Sequence, residues 1–221
     1  MPPLTATLIS YNEEADLPRA LASLAGIADE IILVDSGSTD RTIEIAQSFG
    51  ARVYSRKLDS FAEQKNYATS LASHDWILSL DCDEELSPEL CASLLAWKEK
   101  APEKNGYEIL RLTNYLGGWI RHSGWYPEPR LVLFCRDKGK FVGAIHERVH
   151  MEGLPGKIEG HMFHYTIRSL AEHSAKLEAM TTLAAEDMFA RGYKIWRPAM
   201  FFAAPWTIFQ RLVFQGGILD G

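Results

Sequence analysis

Glu30-Ile31-Ile32-Leu33-Val34-Asp35-Ser36-Gly37-Ser38-Thr39-Asp40 decides the fold. Its first half is apolar and β-branched between two acids, as in a strand covered on both faces. Its second half is turn chemistry that opens a helix over 41–49. Thr39 or Asp40 can cap that helix, Glu44 stands within reach of a capping box, and Gly50 sits where a C′ glycine belongs. Working outward, the same alternation recurs. Leu4–Ser10 reads as a strand and Asp16–Leu24 as a helix, while Ala51–Ser55, Phe61–Ala72 and Asp75–Leu80 read as strand, helix and strand. This β-α-β-α-β-α-β order predicts an α/β fold whose mostly parallel sheet is flanked by helices and joined by right-handed crossovers.

Beyond the helix Pro88–Lys98 the pattern changes. Gly106–Asn114, Arg130–Cys135, Ile145–His150 and His161–Thr166 read as strands between Gly/Pro-rich loops, and Ser169–Ala190 as a long amphipathic helix. From Met188 to Leu219 there is no Asp or Glu, while Arg191, Lys194, Arg197 and Arg211 stand among eight aromatic residues. That composition suits a helical tail lying at a membrane surface; its plainer reading is a helix packed on the domain. A spanning helix needs about 20 apolar residues, and Pro205 with the flanking arginines leaves no such run. The ending Gly216-Gly217-Ile218-Leu219-Asp220-Gly221 reads as a truncation.

With 221 residues, 47% hydrophobic and 24% charged, the composition is that of a globular protein. A formal net charge of −6 argues against nucleic acid as a partner. The cysteines, Cys82, Cys91 and Cys135, are scattered, without zinc spacing, and no signal peptide precedes the first strand. Both features point to the cytoplasm.

In an open parallel sheet, ligands bind beyond the carboxyl ends of the strands. Three such ends are polar here: Ser10-Tyr11-Asn12-Glu13-Glu14, Asp35 to Asp40, and Asp81-Cys82-Asp83-Glu84-Glu85. Asp35 can accept hydrogen bonds from a ribose or base edge, or it can be a turn acid. Asp81 and Asp83 offer the oxygen donors that Mg²⁺ or Mn²⁺ takes together with substrate phosphates; the plainer reading is a solvated acidic turn. Arg130 and Lys176 are candidates to neutralise phosphate. Trp125 and Tyr126, beside Gly124, offer aromatic faces for an acceptor sugar.

The series Ser10 to Glu14, Val34 to Asp40, Gln64-Lys65-Asn66 and Asp81-Cys82-Asp83-Glu84 resembles the family 2 glycosyltransferases of GT-A fold. Trp125-Tyr126-Pro127, His146-Glu147-Arg148-Val149 and His164-Tyr165 are similar to the bacterial subgroup that builds the lipopolysaccharide core. The resemblance implies a GT-A domain over 1–190, with a nucleotide-binding half to 100 and an acceptor half from 101, and a basic-aromatic tail over 191–221. It implies inverting transfer from a nucleotide-diphosphate sugar, commonly a UDP-sugar, to a glycan or lipid-linked acceptor at the inner face of the cytoplasmic membrane. Tyr11, Glu13 and Asp35 would hold the nucleoside, with Asn12 in the same loop, and Lys65 would lie near the base or phosphates. Asp81 would contact ribose or metal, Asp83 would ligate the metal, and His164 would complete its shell. Glu147 matches the place of the general base best and Glu128 stands second; the plainer reading of Glu147 is an ion pair with Arg148 or Arg130.

Two other classes compete. A sugar-phosphate nucleotidyltransferase needs a glycine-rich basic loop after the first strand, where this chain has Tyr11-Asn12-Glu13-Glu14. A non-catalytic scaffold at a membrane would not need the paired aspartates. A nicotinamide dehydrogenase lacks its GxGxxG.

Overall fold

The computed structural model describes residues 1–143, 147–167, 169–194 and 197–220; within the last two long helices, side chains at 172, 175–176, 179–180, 183, 187 and 197–200 lie outside that description. The strands are β1 (Leu4–Ser10), β2 (Glu30–Asp35), β3 (Arg52–Ser55), β4 (Trp76–Ser79), β5 (Glu84–Leu86), β6 (Gly106–Tyr115), β7 (Gly118–Ile120), β8 (Glu128–Cys135), β9 (Gly139–Val142), β10 (Arg148–Met151) and β11 (Gly156–Ile167). The helices are α1 (Leu17–Ser23), α2 (Thr42–Ser48), α3 (Phe61–Ser70), α4 (Pro88–Lys98), α5 (Leu170–Ala190) and α6 (Arg197–Phe209). Among the described residues the large sheet runs β3-β2-β1-β4-β8-β6-β11-β5, with β7 on β6. Its first four strands are parallel. From β4 to β8 the pairing turns antiparallel.

The apolar strands are covered on both faces, as their sequence requires. On one face Leu4, Leu8, Leu33 and Leu78 meet Leu17 and Leu21 of α1 and Leu90 and Leu94 of α4. On the other, Ile32, Val34 and Ile77 meet Ala62 and Ala68 of α3, with Phe134 and Phe141. The parallel half thus appears as expected.

The caps differ in one respect. Asp40 Oδ1 accepts from the Thr42 amide at 3.0 Å, while Glu44 pairs with Arg41 instead of closing a capping box. Gly50 has φ +78, the left-handed conformation of a C′ glycine.

The short strands β5, β7 and β9 were not in the sequence reading. The strand expected over 145–150 is described only from Arg148, its first two residues lying outside the described residues.

The chain forms two compact units, Met1–Arg111 with Glu128–His164, and Leu112–Pro127 with Tyr165–Gly221. These boundaries differ from the division at 100 and 190 drawn from the sequence, because the end of the chain is tied to 112–127. Asp220 accepts from the Arg121 and His122 amides and contacts His122 Nδ1 at 2.8 Å. Burial would raise the Asp220 carboxyl, but the His122 ring and these amides hold it below its usual range.

Helix α6 continues through Pro205, which the sequence marked as an interruption. From 201 to 209 it carries no charged side chain and every residue is exposed, so no polar face is shown there. Among the described residues, no helix is long and apolar enough to cross a membrane.

Candidate active site

Three strand ends of the first unit supply the site. After β1 and β2 the two polar loops bind each other. Asn12, with φ 56, donates its amide to Ser38 Oγ at 2.8 Å and accepts from the Thr39 amide through Oδ1 at 2.8 Å. Glu13 donates its amide to Thr42 Oγ1 at 2.7 Å. Asp35 is fully buried. Its Oδ2 accepts from the Gly37 and Ser38 amides at 2.8 Å each, and its Oδ1 from Ser10 Oγ at 3.0 Å and from Ser38 Oγ. Asp35 therefore shapes the loop from within, as the turn-acid reading has it. Tyr11, 60% exposed, is the side chain this loop presents outward.

At the end of β4 the chain turns through Asp81-Cys82-Asp83 into β5. Lys65, brought up by α3, lies 2.7 Å from Asp81 Oδ1 and 2.9 Å from Glu147 Oε1. Burial opposes the Lys65 charge, yet these two carboxylates raise its pKa above the ordinary lysine value. Burial likewise opposes the Asp81 charge, and the Lys65 ammonium outweighs it and lowers the carboxyl. Lys65 thus bridges two acids at the cavity wall. Glu147 is ion-paired, with Lys65 in place of Arg148 or Arg130. These residues, with Glu84 and Arg130, line a cavity of about 200 Å³.

Glu84 and Arg111 belong to this cluster without having stood out in the sequence. Glu84 Oε2 accepts from the Asp81 amide at 3.0 Å. Burial, and next the Asp81 charge, push Glu84 up to about 7, against His164 and Arg111. Arg111 grips both oxygens of Glu128, at 2.9 and 2.6 Å. Arg130 lies 3.8 Å from Glu128. For Arg111 no local signal marks it, since β6 also carries Glu108, Thr113 and Asn114.

Cys82, between the aspartates, is no nucleophile. Burial, then the charges of Glu13, Asp81 and Asp83, push its thiol well up, and Sγ donates to the Ile9 carbonyl at 3.2 Å.

Asp83 Oδ2 stands 3.3 Å from His164 Nε2. Sheet pairing brings them together, since β11 runs antiparallel to β5 with His164 opposite Glu84. In an octahedral shell with bonds near 2.1 Å, adjacent donors lie about 3 Å apart. One carboxylate oxygen and one imidazole nitrogen at this spacing fit Mg²⁺ or Mn²⁺. Among the described residues no three His, Cys, Asp or Glu side chains group where they could hold a metal ion.

Trp125 and Tyr126 belong to the second unit, where Trp125 meets Tyr115 edge-on at 5.9 Å. Lys176 falls on α5, and its side chain lies outside the described residues.

The parallel sheet thus closes in paired acids, and its antiparallel extension returns a histidine to them. Residues 5–138 match the family model described as glycosyl transferase family 2, and the chain belongs to that family. It is 31% identical to the lipopolysaccharide core biosynthesis glycosyltransferase LpsC of Rhizobium meliloti, over 98% of this chain and 82% of that protein. It is 28% identical to the uncharacterized glycosyltransferase RT0209 of Rickettsia typhi, over 88% of this chain and 70% of that protein. Among solved structures, TarS 1–349 of S. aureus in complex with UDP is similar with a TM-score of 0.43 and 21% identity, over 51% of this chain and 36% of that one. A likeness of that size says nothing about ligands.

Proposed function

We propose that the protein is an inverting glycosyltransferase that moves a sugar from a nucleotide-diphosphate donor, a UDP-sugar first among them, to a lipid-linked glycan of the lipopolysaccharide core. The observation that carries this reading is the pairing of Asp83 with His164 at 3.3 Å, beside the cavity of Lys65, Asp81 and Glu147. The name of LpsC, similar over nearly the whole chain, supports the acceptor class. The basic-aromatic tail supports work at the inner membrane face.

Asp83 and His164 would hold Mg²⁺ or Mn²⁺; the ion, when bound, neutralises charge gathering on the departing diphosphate. The exposed Tyr11 ring offers a surface for the base. Asn12, Glu13 and Asp35 keep its loop in shape, and Arg130 is a cation in the cavity wall, together with Arg148, that can meet a phosphate. Glu147 is the base. Lys65 fixes its Oε1, which leaves Oε2 to take the proton of the acceptor hydroxyl. The acceptor oxygen bonds to the anomeric carbon from the face opposite the diphosphate, whose bond to that carbon breaks, so the configuration inverts.

The test is a screen of UDP-, GDP- and dTDP-sugars for hydrolysis with and without Mn²⁺. It needs no acceptor. Hydrolysis of one donor class that requires the metal is expected, and its loss in Asp83→Asn with an unchanged melting curve. Metal-independent hydrolysis, or full activity in Asp83→Asn, overturns the reading.

A further inference from the structure

The second unit contains an apolar pocket of about 360 Å³ that the transfer chemistry does not use. Tyr115, Ile120 and Trp125 form one side; Ile208 and Leu212, from the end of α6 and the turn after it, form the other. Its polar lining is Ser123, His173 and Arg211. Such a wall suits hydrocarbon. A glycan there would leave its hydroxyls without partners, at about 1–3 kcal/mol for each buried group. The aromatic face of Trp125, read from the sequence as a wall for an acceptor sugar, is thus set in a lipid-like environment.

Three further observations identify the occupant. First, the segment that supplies Ile208 and Leu212 to the pocket carries apolar side chains that face outward: Trp206 is 58% exposed, Phe214 71% and Ile218 75%. Trp206, Phe209 and Phe214 touch one another there at 5.6–6.4 Å. An apolar patch of this kind on a soluble surface marks an interaction site. Second, the charge is one-sided. No acid occurs between Met188 and Leu219, whereas Arg191, Lys194 and Arg211 do, so the patch complements an anionic surface. Third, two polar groups in the pocket wall have donor capacity to spare. His173 Nδ1 is buried and lacks a hydrogen-bond partner among the described residues. Arg211 engages the Ser123 carbonyl through one nitrogen, at 2.9 Å, and a guanidinium has five N–H donors in all. Helix α6 runs directly into the wider helical turn Gln210–Phe214, and among the described residues no helix is long and apolar enough to cross a membrane.

We infer that this unit is a lipid-binding module, in which the pocket takes one acyl chain of an anionic bilayer lipid while Arg211 and His173 meet its phosphate. The inference extends the membrane part of the proposed function but does not depend on the transfer chemistry.

Vesicles of phosphatidylcholine, with and without phosphatidylglycerol and with brominated acyl chains, provide the test. Sedimentation measures binding, and bromine quenching of tryptophan fluorescence reports contact with the chains. The protein is expected to bind the anionic vesicles, more weakly at high salt. Arg211→Gln should weaken that binding about fivefold, the effect of one surface cation. Leu212→Asp should weaken it further, and Trp125→Phe should remove part of the quenching without abolishing sedimentation.

Absence of vesicle binding overturns the proposal, as does quenching that Trp125→Phe leaves intact. Self-association that depends on protein concentration, without vesicle binding, assigns the patch to a second copy and overturns it equally. Melting curves of the variants separate these results from misfolding. Donor hydrolysis, measured without vesicles, keeps failure of the transferase reading distinct from failure of this one.

Discussion

Among the described residues Glu147, the proposed base, pairs with Lys65, which holds one of its oxygens while Asp81 shares the same ammonium. Glu147→Gln keeps the size and the contact to Lys65 but cannot take a proton. The turnover number for transfer is expected to fall about a hundredfold or more while donor affinity by calorimetry stays the same; transfer at the wild-type rate removes Glu147 from the mechanism. A second acid has a purely structural part. Glu30 accepts from Thr5 Oγ1, the Ser73 amide, Ser73 Oγ and Arg52. Burial would raise its pKa, but these donors together lower it from 4.5 to about 2. Because the folded value lies below the unfolded one, its stabilisation is complete above pH 4.5 and drains away as the pH falls toward 2. Glu30→Gln should therefore lower stability by about 2 kcal/mol at neutral pH and flatten the acid limb of a urea-midpoint profile. Parallel profiles for the two proteins would show that Glu30 contributes nothing.

Elements were legible where their signals were long. The run from Glu30 to Asp35, buried on both sides, and the helix α2 after it, with Asp40 before it and Gly50 beyond, could be read directly, because burial and capping act on adjacent residues. The three-residue β5 could not, since it exists through pairing with β11 far along the chain, and β7 is too short for an alternation to show, folding back on the end of β6 through a tight turn. Asp35 was read correctly as a strand-ending acid, yet the sequence left its task open; only the folded loop shows four donors converging on it. Gly160 in β11 is a residue whose reason is tertiary as well. Its φ is +100, and an added Cβ would meet the Leu90 amide nitrogen and lie 2.6 Å from Leu90 Cα. Neither backbone can yield cheaply. Gly160→Ala is expected to cost about 3 kcal/mol, read from urea unfolding. A loss below about 1 kcal/mol would mean that α4 and β11 are less tightly opposed than they stand here.

For the molecule as a whole, ligand linkage is the clearest prospect. UDP with Mn²⁺ should stabilise the wild type by about 2.7 kcal/mol at a hundredfold excess over Kd. Asp83→Asn should show no such gain by differential scanning calorimetry. Equal gains in both would take the metal away from Asp83. The acids of the site were visible in the sequence as a spacing of two; their partner His164 was visible only as a lone histidine, since nothing local links residues so far apart. What links them is the ladder between β5 and β11, with His164 opposite Glu84. A slip of one residue would turn His164 to the other side and present Phe163 or Tyr165 in its place. On the roles proposed for Asp83 and His164, catalytic competence is inherited from sheet register: donor choice can be reshaped in the surrounding loops, whereas a single inserted residue in either strand is expected to part the pair and silence transfer.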